Sequence, residues 1–193
     1  ASCKVGNPSW PFPPTCPQLI TFAAMQQKPV WLEEVLTNVK IKALNEMQVA
    51  SMEAQASEKD IILLSATGSG KTLAFLLPLV EQLQAADNQT NALIIVPSRE
   101  LAIQIGESIS SYGHFLKIRH HVIFGGVPQY SQVQAIKRGV DILVATPGRL
   151  LDLMQQGHIS LNQIQFFVLD EADRMLDMGF VHDVKRIIAK LPS

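Results

Sequence analysis

A glycine-rich loop between an apolar run and a helical pattern limits the folds open to this chain more than any other feature. The apolar run covers residues 61–64, the loop at residues 65–72 reads SATGSGKT, and a helical apolar pattern follows it. Because glycine lacks a Cβ, the backbone at Gly68 and Gly70 can curl tightly and turn several N–H groups inward. The order of strand, loop and helix therefore predicts an α/β domain with an anion cradle at a helix N-terminus.

The loop is typical of a P-loop, or Walker A motif, and so predicts a nucleotide site. Lys71 is placed to reach the β- and γ-phosphates of ATP, and the Thr72 hydroxyl to hold Mg²⁺. The general pattern begins with glycine, whereas Ser65 occupies that position here. The alternative is an ordinary Gly/Ser-rich turn, which the Gly-Lys-Thr ending disfavours. The predicted nucleotide contacts in the loop are Ala66, Thr67, Gly68, Ser69, Gly70, Lys71 and Thr72.

Short apolar runs alternate with amphipathic stretches along most of the chain. The predicted strands are residues 61–64, 92–96, 118–124, 141–145 and 166–169. The predicted helices are residues 31–39, 47–56, 71–83, 100–112, 130–137, 148–155 and 181–191. Several strand runs are apolar throughout, as strands are when helices cover both faces of a parallel sheet. We predict a doubly wound α/β domain with a mostly parallel sheet and its ligand at the carboxyl ends of the strands.

The composition is that of one folded domain. Of the 193 residues, 47% are hydrophobic, which is enough for a full core. Polar residues and prolines interrupt the apolar stretches well short of a bilayer span, so we expect no membrane segment and a cytoplasmic protein. The net charge of −1 offers no broad basic face, so any contact with nucleic acid must be local.

Prolines are dense in residues 1–24, where they disfavour a regular helix or a central strand. We interpret this segment as a linker, a loosely docked arm or an appended sequence, and residues 25–193 as the folded domain. The two cysteines of the chain, Cys3 and Cys16, both lie in the first segment. This distribution predicts a reducing compartment, with a bridge between the two cysteines as the less favoured alternative.

An acidic motif follows the last predicted strand. Residues 170–173 read DEAD and come directly after the apolar run at 166–169, which places carboxylates at the carboxyl end of a buried strand. Asp170 is then the candidate Walker B ligand of Mg²⁺, and Glu171 the candidate to orient or deprotonate the attacking water. Taken alone, such a cluster is equally expected in a solvated loop or a helix N-cap. Together with the P-loop it predicts an ATPase in which Lys71, Asp170 and Glu171 are catalytic.

With both motifs present, the chain resembles the first RecA-like domain of the DEAD-box RNA helicases, whose name motif stands at residues 170–173. Residues 97–102 read PSRELA and are similar to the PTRELA of the family, with Ser98 in place of threonine. The glycine pair at residues 125–126 and the TPGR at residues 146–149 match two further family motifs. All of these motifs stand in the order that the family has.

The resemblance implies that three of these loops grip the sugar-phosphate backbone of single-stranded RNA. Helix N-termini and bare glycine amides suit phosphate oxygens, and Arg99 or Arg149 would add charge. Backbone contacts carry no base information, so sequence preference should be weak. The alternative is an ordinary strand-to-helix turn, with Arg99 or Arg149 in an ion pair within the domain. The RNA contacts that the resemblance implies are Pro97, Ser98, Arg99, Gly125, Gly126, Thr146, Pro147, Gly148 and Arg149.

The resemblance also implies a glutamine that hydrogen-bonds the adenine edge. Gln48 matches it, and a carboxamide can donate and accept at once, as adenine requires. Residues 40–41 are Lys-Ile where Gly-Phe is common in the family, so the nearby aromatic is missing. Phe22 is the candidate to replace it, and Trp31 is a poorer one. The alternative for Gln48 is a glutamine on a helix surface.

Finally, the resemblance implies half of an active site. The family continues into a Ser-Ala-Thr motif and a second RecA-like domain that supplies arginines to the transferring phosphate, and this sequence ends before either. Such arginines are worth about 10³ to 10⁵ in rate, so we expect the isolated chain to bind Mg-ATP and RNA with little ATPase activity. Two other functions stay open: an ATP-gated RNA clamp or scaffold, and a DNA-directed helicase domain.

Overall fold

The computed structural model describes residues 30–38, 40–55, 60–66, 68–83, 90–113 and 118–192. The Pro-rich segment at residues 1–24, with both cysteines, lies outside these ranges. The chain divides into two compact units, an N-terminal unit that ends at Gln82 and a C-terminal unit from Leu83 to Pro192. Within the described ranges, no helix is both long and apolar enough to cross a membrane.

The described residues of the N-terminal unit form the helices α1 (Val30–Asn38), α2 (Glu46–Gln55) and α3 (Lys71–Gln82), each within one residue of its predicted bounds. Helix α2 packs against α3. At this contact the Ser51 hydroxyl donates to the carbonyl oxygen of Ala74 at 2.8 Å. The apolar residues of α3 are almost all buried, so packing fixes the helix that begins directly after the P-loop.

The predicted strand at residues 61–64 is wrong. These residues run outside any strand, and Ile62 and Leu64 are 58% and 62% exposed. An apolar run indicates a preference for burial, but a strand also requires a neighbouring backbone that completes its hydrogen-bond ladder. Among the described residues, every strand pair is made within the C-terminal unit. The P-loop therefore follows an irregular segment in this structure.

The C-terminal unit contains a sheet of the strands β1 (Ala92–Ile95), β2 (His120–Ile123), β3 (Ile142–Ala145) and β4 (Phe166–Leu169). Their spatial order is β2-β3-β1-β4, and each neighbouring pair is parallel. Four of the predicted strands are thus confirmed, and three of them are shorter than predicted. The predicted α/β architecture with a parallel sheet is confirmed as well.

Parallel strands need crossover connections, and helices supply them here. The helices of this unit are α4 (Arg99–Gly113), α5 (Gln129–Lys137), α6 (Pro147–Gln155), α7 (Ala172–Asp177) and α8 (Val181–Ile188). Strands β1 and β3 are buried at every residue, which agrees with their wholly apolar sequences. The sequence did not predict α7, because its six residues include only one buried side chain, Met175, and so show no periodic pattern.

The parallel register brings the residues that follow the four strands to one edge of the sheet. We call this the carboxyl edge, and it consists of Phe124, Thr146, Val96 and Asp170 with the loops that follow them. The backbone N–H groups of Val96, Asp170 and Thr146 donate to the last residues of neighbouring strands at 3.0 to 3.1 Å. The ladder thus extends one residue past the strands, which fixes the starting points of four loops side by side.

The opposite edge of the sheet is held by an ion pair between the buried Asp141 and the partly exposed Arg119. The Asp141 side chain is 2% exposed, and its carboxylate accepts hydrogen bonds from Nη2, Nε and the backbone N–H of Arg119 at 2.6, 3.1 and 2.7 Å. These hydrogen bonds offset the desolvation of the carboxylate, and they raise the pKa of the Arg119 guanidinium. The contact ties the start of β2 to the start of β3, at the end of the sheet remote from the sequence motifs.

Candidate functional site

The P-loop turns on two glycines in the left-handed region. Gly68 and Gly70 have φ values of +79° and +86°, which disfavour any residue with a side chain. A Cβ on Gly70 would also lie 2.6 Å from Nε2 of Gln48. Helix α3 begins at Lys71, and the first N–H groups of a helix have no intrahelical partner. The described part of the loop therefore has the backbone of an anion cradle, while Thr67 lies outside the described residues.

The lysine of the loop is folded back on the loop itself. Lys71 Nζ donates to the carbonyl oxygens of Ser65 and Ala66, both at 2.8 Å. The hydroxyls of Ser65 and Ser69 hydrogen-bond to each other across the same turn. An ammonium group has three donors, so one remains for a phosphate oxygen, and further phosphate contacts would have to replace these carbonyl oxygens. Thr72, the predicted metal ligand, is half-buried in the first turn of α3.

Gln48 is buried against the P-loop, with 3% of the residue exposed. Its Nε2 donates to the carbonyl oxygen of Gly70 at 3.2 Å, and its Oε1 accepts from the N–H of Asn45 at 2.9 Å. The alternative of a helix-surface glutamine is therefore wrong. A carboxamide has two donors and two lone pairs, so these contacts do not exhaust it. Adenine recognition by Gln48 stays a prediction, and Phe22, the predicted stacking residue, lies outside the described ranges.

Asn45 is a residue of this site that the sequence analysis missed. Its Oδ1 accepts from the N–H of Gln48 at 2.9 Å, and its Nδ2 donates to the carbonyl oxygen of Ser69 at 3.0 Å. Together with the contact from the Asn45 N–H to Gln48, this forms a reciprocal cap at the start of α2. The spacing Asn-x-x-Gln ahead of a helical pattern is the signal that would have found it. The cap connects α2 to the P-loop.

The acidic motif begins at the carboxyl edge, directly after β4. Asp170 is 9% exposed, and its Oδ1 accepts from the N–H of Glu171 at 3.0 Å. Glu171 occupies the N-cap position of α7 and has φ +51° and ψ +48°. This left-handed conformation is costly for a residue with a side chain, and such residues cluster at functional sites. The motif is thus a strained turn between a buried strand and a short helix.

Arg174, which the sequence analysis did not single out, fixes the carboxylate of Glu171. Its Nη1 lies 2.7 Å from Oε2 of Glu171, and its backbone N–H donates to Oδ1 of Asp173 at 2.9 Å. The Arg174 side chain is 57% exposed, so the ion pair contributes little to stability. In this structure the contact directs the Glu171 carboxylate toward Arg174.

Two of the predicted RNA loops meet at Phe124. The guanidinium carbon of Arg99 lies 4.8 Å from the centroid of the Phe124 ring, a cation–π geometry. Ser98 Oγ accepts from the N–H of Leu101 at 3.2 Å and so caps α4. Of these three predicted RNA contacts, Pro97 is buried, Ser98 is half-buried and Arg99 is exposed.

Arg149 has several contacts within the unit, and they include a long ion pair, the kind of contact that was considered as the alternative for it above. Its side chain is 11% exposed. Nη1 donates to Oε1 of Gln132 at 3.2 Å, and Nη2 donates to the carbonyl oxygen of Val127 at 3.0 Å. Nε lies 3.9 Å from a carboxylate oxygen of Asp152. The guanidinium thus connects the TPGR loop to the end of the glycine-pair loop.

The glycine pair and the TPGR loop present accessible backbone. Gly125, Gly126 and Gly148 are exposed, and a Cβ on any of them would meet nothing within 4 Å. Thr146 is the N-cap residue of α6 without a side-chain cap hydrogen bond, and Pro147 follows it in the first turn. The three predicted RNA loops are therefore neighbours at the carboxyl edge, joined through Phe124 and Arg149.

The sequence of this chain is similar to those of known helicases. A family model described as DEAD/DEAH box helicase matches residues 45–193. The chain is 40% identical over 181 residues to DEAD-box ATP-dependent RNA helicase 14 of Arabidopsis thaliana, a match that covers 92% of this chain and 29% of the relative. It is 45% identical over 138 residues to a probable ATP-dependent RNA helicase of Dictyostelium discoideum, covering 69% of this chain and 18% of that relative. The chain thus spans less than a third of these curated relatives.

Solved structures resemble this chain as well. A DEAD box protein from the hyperthermophile Methanococcus jannaschii superposes with a TM-score of 0.80 at 32% identity, covering 89% of this chain and 47% of that one. A hypothetical ATP-dependent RNA helicase from Sulfolobus tokodaii superposes with a TM-score of 0.75 at 34% identity, covering 83% and 46%. The similarity is therefore to a part of each of these proteins.

Proposed function

The chain belongs to the DEAD/DEAH box helicase family, and from this premise we propose that it is the first RecA-like domain of an ATP-dependent RNA helicase. In this proposal it binds Mg-ATP and the sugar-phosphate backbone of single-stranded RNA. The second RecA-like domain belongs to a longer parent chain, in keeping with relatives that extend well beyond the matched span.

The described residues of the P-loop fit a triphosphate. Gly68 and Gly70 give the loop its left-handed turns, and Lys71 stands at the start of α3. The lysine would exchange its two carbonyl partners for phosphate oxygens. Gln48 would read the adenine edge with the part of its carboxamide that the P-loop does not use.

We propose that side-chain oxygens of three residues would hold the metal and orient the attacking water. Thr72 and Asp170 carry the hydroxyl and carboxylate oxygens that Mg²⁺ prefers. A bound Mg²⁺ would neutralise charge on the phosphates. Glu171 would orient the attacking water, and its contact with Arg174 holds the carboxylate in a defined position.

We propose that ATP binding and RNA binding are coupled, and the observation that supports this coupling is the arrangement of the loops at the carboxyl edge. The acidic motif and the three predicted RNA loops all begin at in-register strand ends of one parallel sheet. Neighbouring loops on one sheet edge can bind one ligand or affect each other through short contacts. Two arginines of these loops, Arg99 and Arg149, each contact the glycine-pair loop or the residue before it.

Calorimetric titration with Mg-ADP tests the nucleotide half of the proposal. We expect Lys71→Ala to lose charge-assisted contacts worth about 1.5–3 kcal/mol each, and so to bind at least about tenfold more weakly. Lys185→Ala, on the exposed surface of α8, is the matched control and should bind like the wild type. Equal affinity of the wild type and Lys71→Ala would contradict the assignment of the P-loop.

A second titration separates adenine recognition from loop support. Gln48→Ala should lower the affinity for Mg-ADP by about tenfold, since it removes hydrogen bonds worth about 1–3 kcal/mol. If Gln48 reads adenine, the affinity for Mg-pyrophosphate falls less than the affinity for Mg-ADP. Equal losses for both ligands would restrict Gln48 to supporting the P-loop.

The isolated chain should hydrolyse little ATP in either variant or in the wild type, and rapid RNA-stimulated turnover would contradict the proposal.

A further inference from the structure

A buried glutamine on α5 connects two of the predicted RNA loops. Gln132 is 5% exposed, and both ends of its carboxamide are used. Nε2 donates to the carbonyl oxygen of Phe124 at 3.2 Å, and Oε1 accepts from Nη1 of Arg149 at 3.2 Å. Buried polar side chains are generally satisfied in this way. No sequence motif pointed to this residue.

The contacts of Gln132 and Arg149 hold the glycine-pair loop at both of its ends. Gln132 binds the carbonyl oxygen of Phe124, which precedes the pair, and Arg149 binds that of Val127, which follows it. Between these anchors Gly125 and Gly126 stay exposed, with no atom within 4 Å of an added Cβ. The loop is thus fixed by its ends while its middle remains open.

We propose that Gln132 is a positioning residue that, through Arg149, presents the Gly125–Gly126 backbone to the phosphates of RNA. This inference rests on the proposed RNA binding. Two adjacent glycines are the most flexible pair that a chain can contain, so ordering them on binding would be costly. Anchors that order the loop beforehand lower this cost and strengthen binding without any contact to the ligand.

The chemistry of the two contacts explains why a glutamine stands at this position. The side chain must donate to a carbonyl oxygen and accept from a guanidinium at the same time. A carboxylate would accept from Arg149 but could not donate to Phe124, and an aliphatic side chain would do neither. Gln132→Met keeps the length and the helix propensity of the residue and removes both contacts. Gln129→Leu is the matched control, since Gln129 lies on the same helix and its side chain pairs with exposed Gln156 instead.

The test is fluorescence anisotropy with a fluorescein-labelled oligouridylate, at several salt concentrations. We expect Gln132→Met to bind the RNA about tenfold more weakly. The slope of log affinity against log salt should stay unchanged, because Gln132 itself contacts no phosphate. Gln129→Leu should bind within twofold of the wild type, and Mg-ADP affinity should be the same in all three. An affinity of Gln132→Met equal to that of the wild type overturns the proposal.

Two further measurements distinguish positioning from a general loss of structure. Amide hydrogen exchange at Gly125 and Gly126 should accelerate in Gln132→Met, while exchange in β1 and β3 stays unchanged. In a double-mutant cycle, Gln132→Met and Arg149→Met should not add, because both act on the same loop. Unchanged glycine exchange or fully additive losses overturn the proposal, and they remain decisive if one variant is less stable. If the wild type binds Mg-ADP but no RNA, the proposed RNA function fails, and the inference fails with it.

Discussion

The two glycine loops of this chain, the P-loop and the glycine-pair loop, reach a similar backbone by different means. Both contain glycines with φ near +80°, and both are proposed to bind phosphate oxygens. The P-loop is closed in part by its own groups, since Lys71 and Ser65 bond to other atoms of the loop, while Gln48 and Asn45 bond to its carbonyl oxygens from the start of α2. The glycine-pair loop is held from outside by Gln132 and Arg149, and its middle is left open.

The difference suggests that the two loops respond differently to their ligands. A loop that uses some of its own donors internally has to break these contacts before all of its donors can bind a ligand, so part of the binding energy goes into rearrangement. A loop that is fixed by its neighbours is ready to bind and depends on those neighbours instead. In the first case the sensitive residues lie inside the loop and at the start of α2, and in the second they lie on α5 and α6.

The largest expected effect is a difference in stability between two glycine-to-alanine variants, one in each loop. In Gly70→Ala the methyl group meets left-handed strain and the Nε2 of Gln48 at 2.6 Å, so the free energy of unfolding should fall by about 2–5 kcal/mol. In Gly126→Ala the space around the added Cβ is open, and only strain of about 1–2 kcal/mol is expected. Urea unfolding of both variants measures the difference. Equal destabilisation would contradict the contrast between a crowded loop and an open one.

A smaller effect is expected from loosening the closed P-loop. Ser65→Ala removes the hydrogen bond between the hydroxyls of Ser65 and Ser69, which is worth about 0.5–1.5 kcal/mol. If the loop must open before it binds, the variant should bind Mg-ADP more tightly, by a few-fold. Ser108→Ala, at a helical serine that bonds only to its own helix, is the control. Weaker binding by Ser65→Ala in calorimetry would show that the closed form is the one that binds.

The smallest expected effect is a pH dependence of stability and of RNA binding, and it comes from the strand that precedes the glycine-pair loop. This loop follows β2, where burial lowers the pKa of His120 and His121, and nearby His120 and Arg138 lower the pKa of His121 further. Because the unfolded chain then takes up protons first, the free energy of unfolding should fall as the pH drops below about 6.5. No histidine occurs in residues 1–82, so Mg-ADP binding should change less than RNA binding.

Anisotropy and calorimetry at about pH 7.5 and about pH 6 measure the two affinities. His121→Leu should reduce the pH dependence of unfolding, because Nε2 of His121 is buried without a hydrogen-bond partner in the described part of the unit. An RNA affinity or an unfolding free energy that rises on acidification would show that the histidines gain partners when they are charged.

Some elements could be predicted from the sequence and others could not, for physical reasons. Strands β1 and β3 were predicted because their wholly apolar runs between helices indicate burial on both faces. Strands β2 and β4 were predicted as well, although most of their residues are only half-buried. The run at residues 61–64 is also wholly apolar, yet it is no strand, since composition does not specify a pairing partner. Helix α7 was missed because six residues carry too little periodicity. In the candidate site, Asn45 had a local signal in its capping spacing, whereas Gln132 had none.

The sequence by itself determined where the loops lie and what backbone they can adopt. The glycines at residues 68, 70 and 126 and the helical patterns that follow them act within a few residues, so local sterics are enough to predict them. Only the tertiary structure decided which groups hold each loop. The contacts of Gln48 with Gly70 and of Gln132 with Arg149 join residues 22 and 17 positions apart. Such pairs form only when packing brings their elements together, because no local property of either residue encodes its partner.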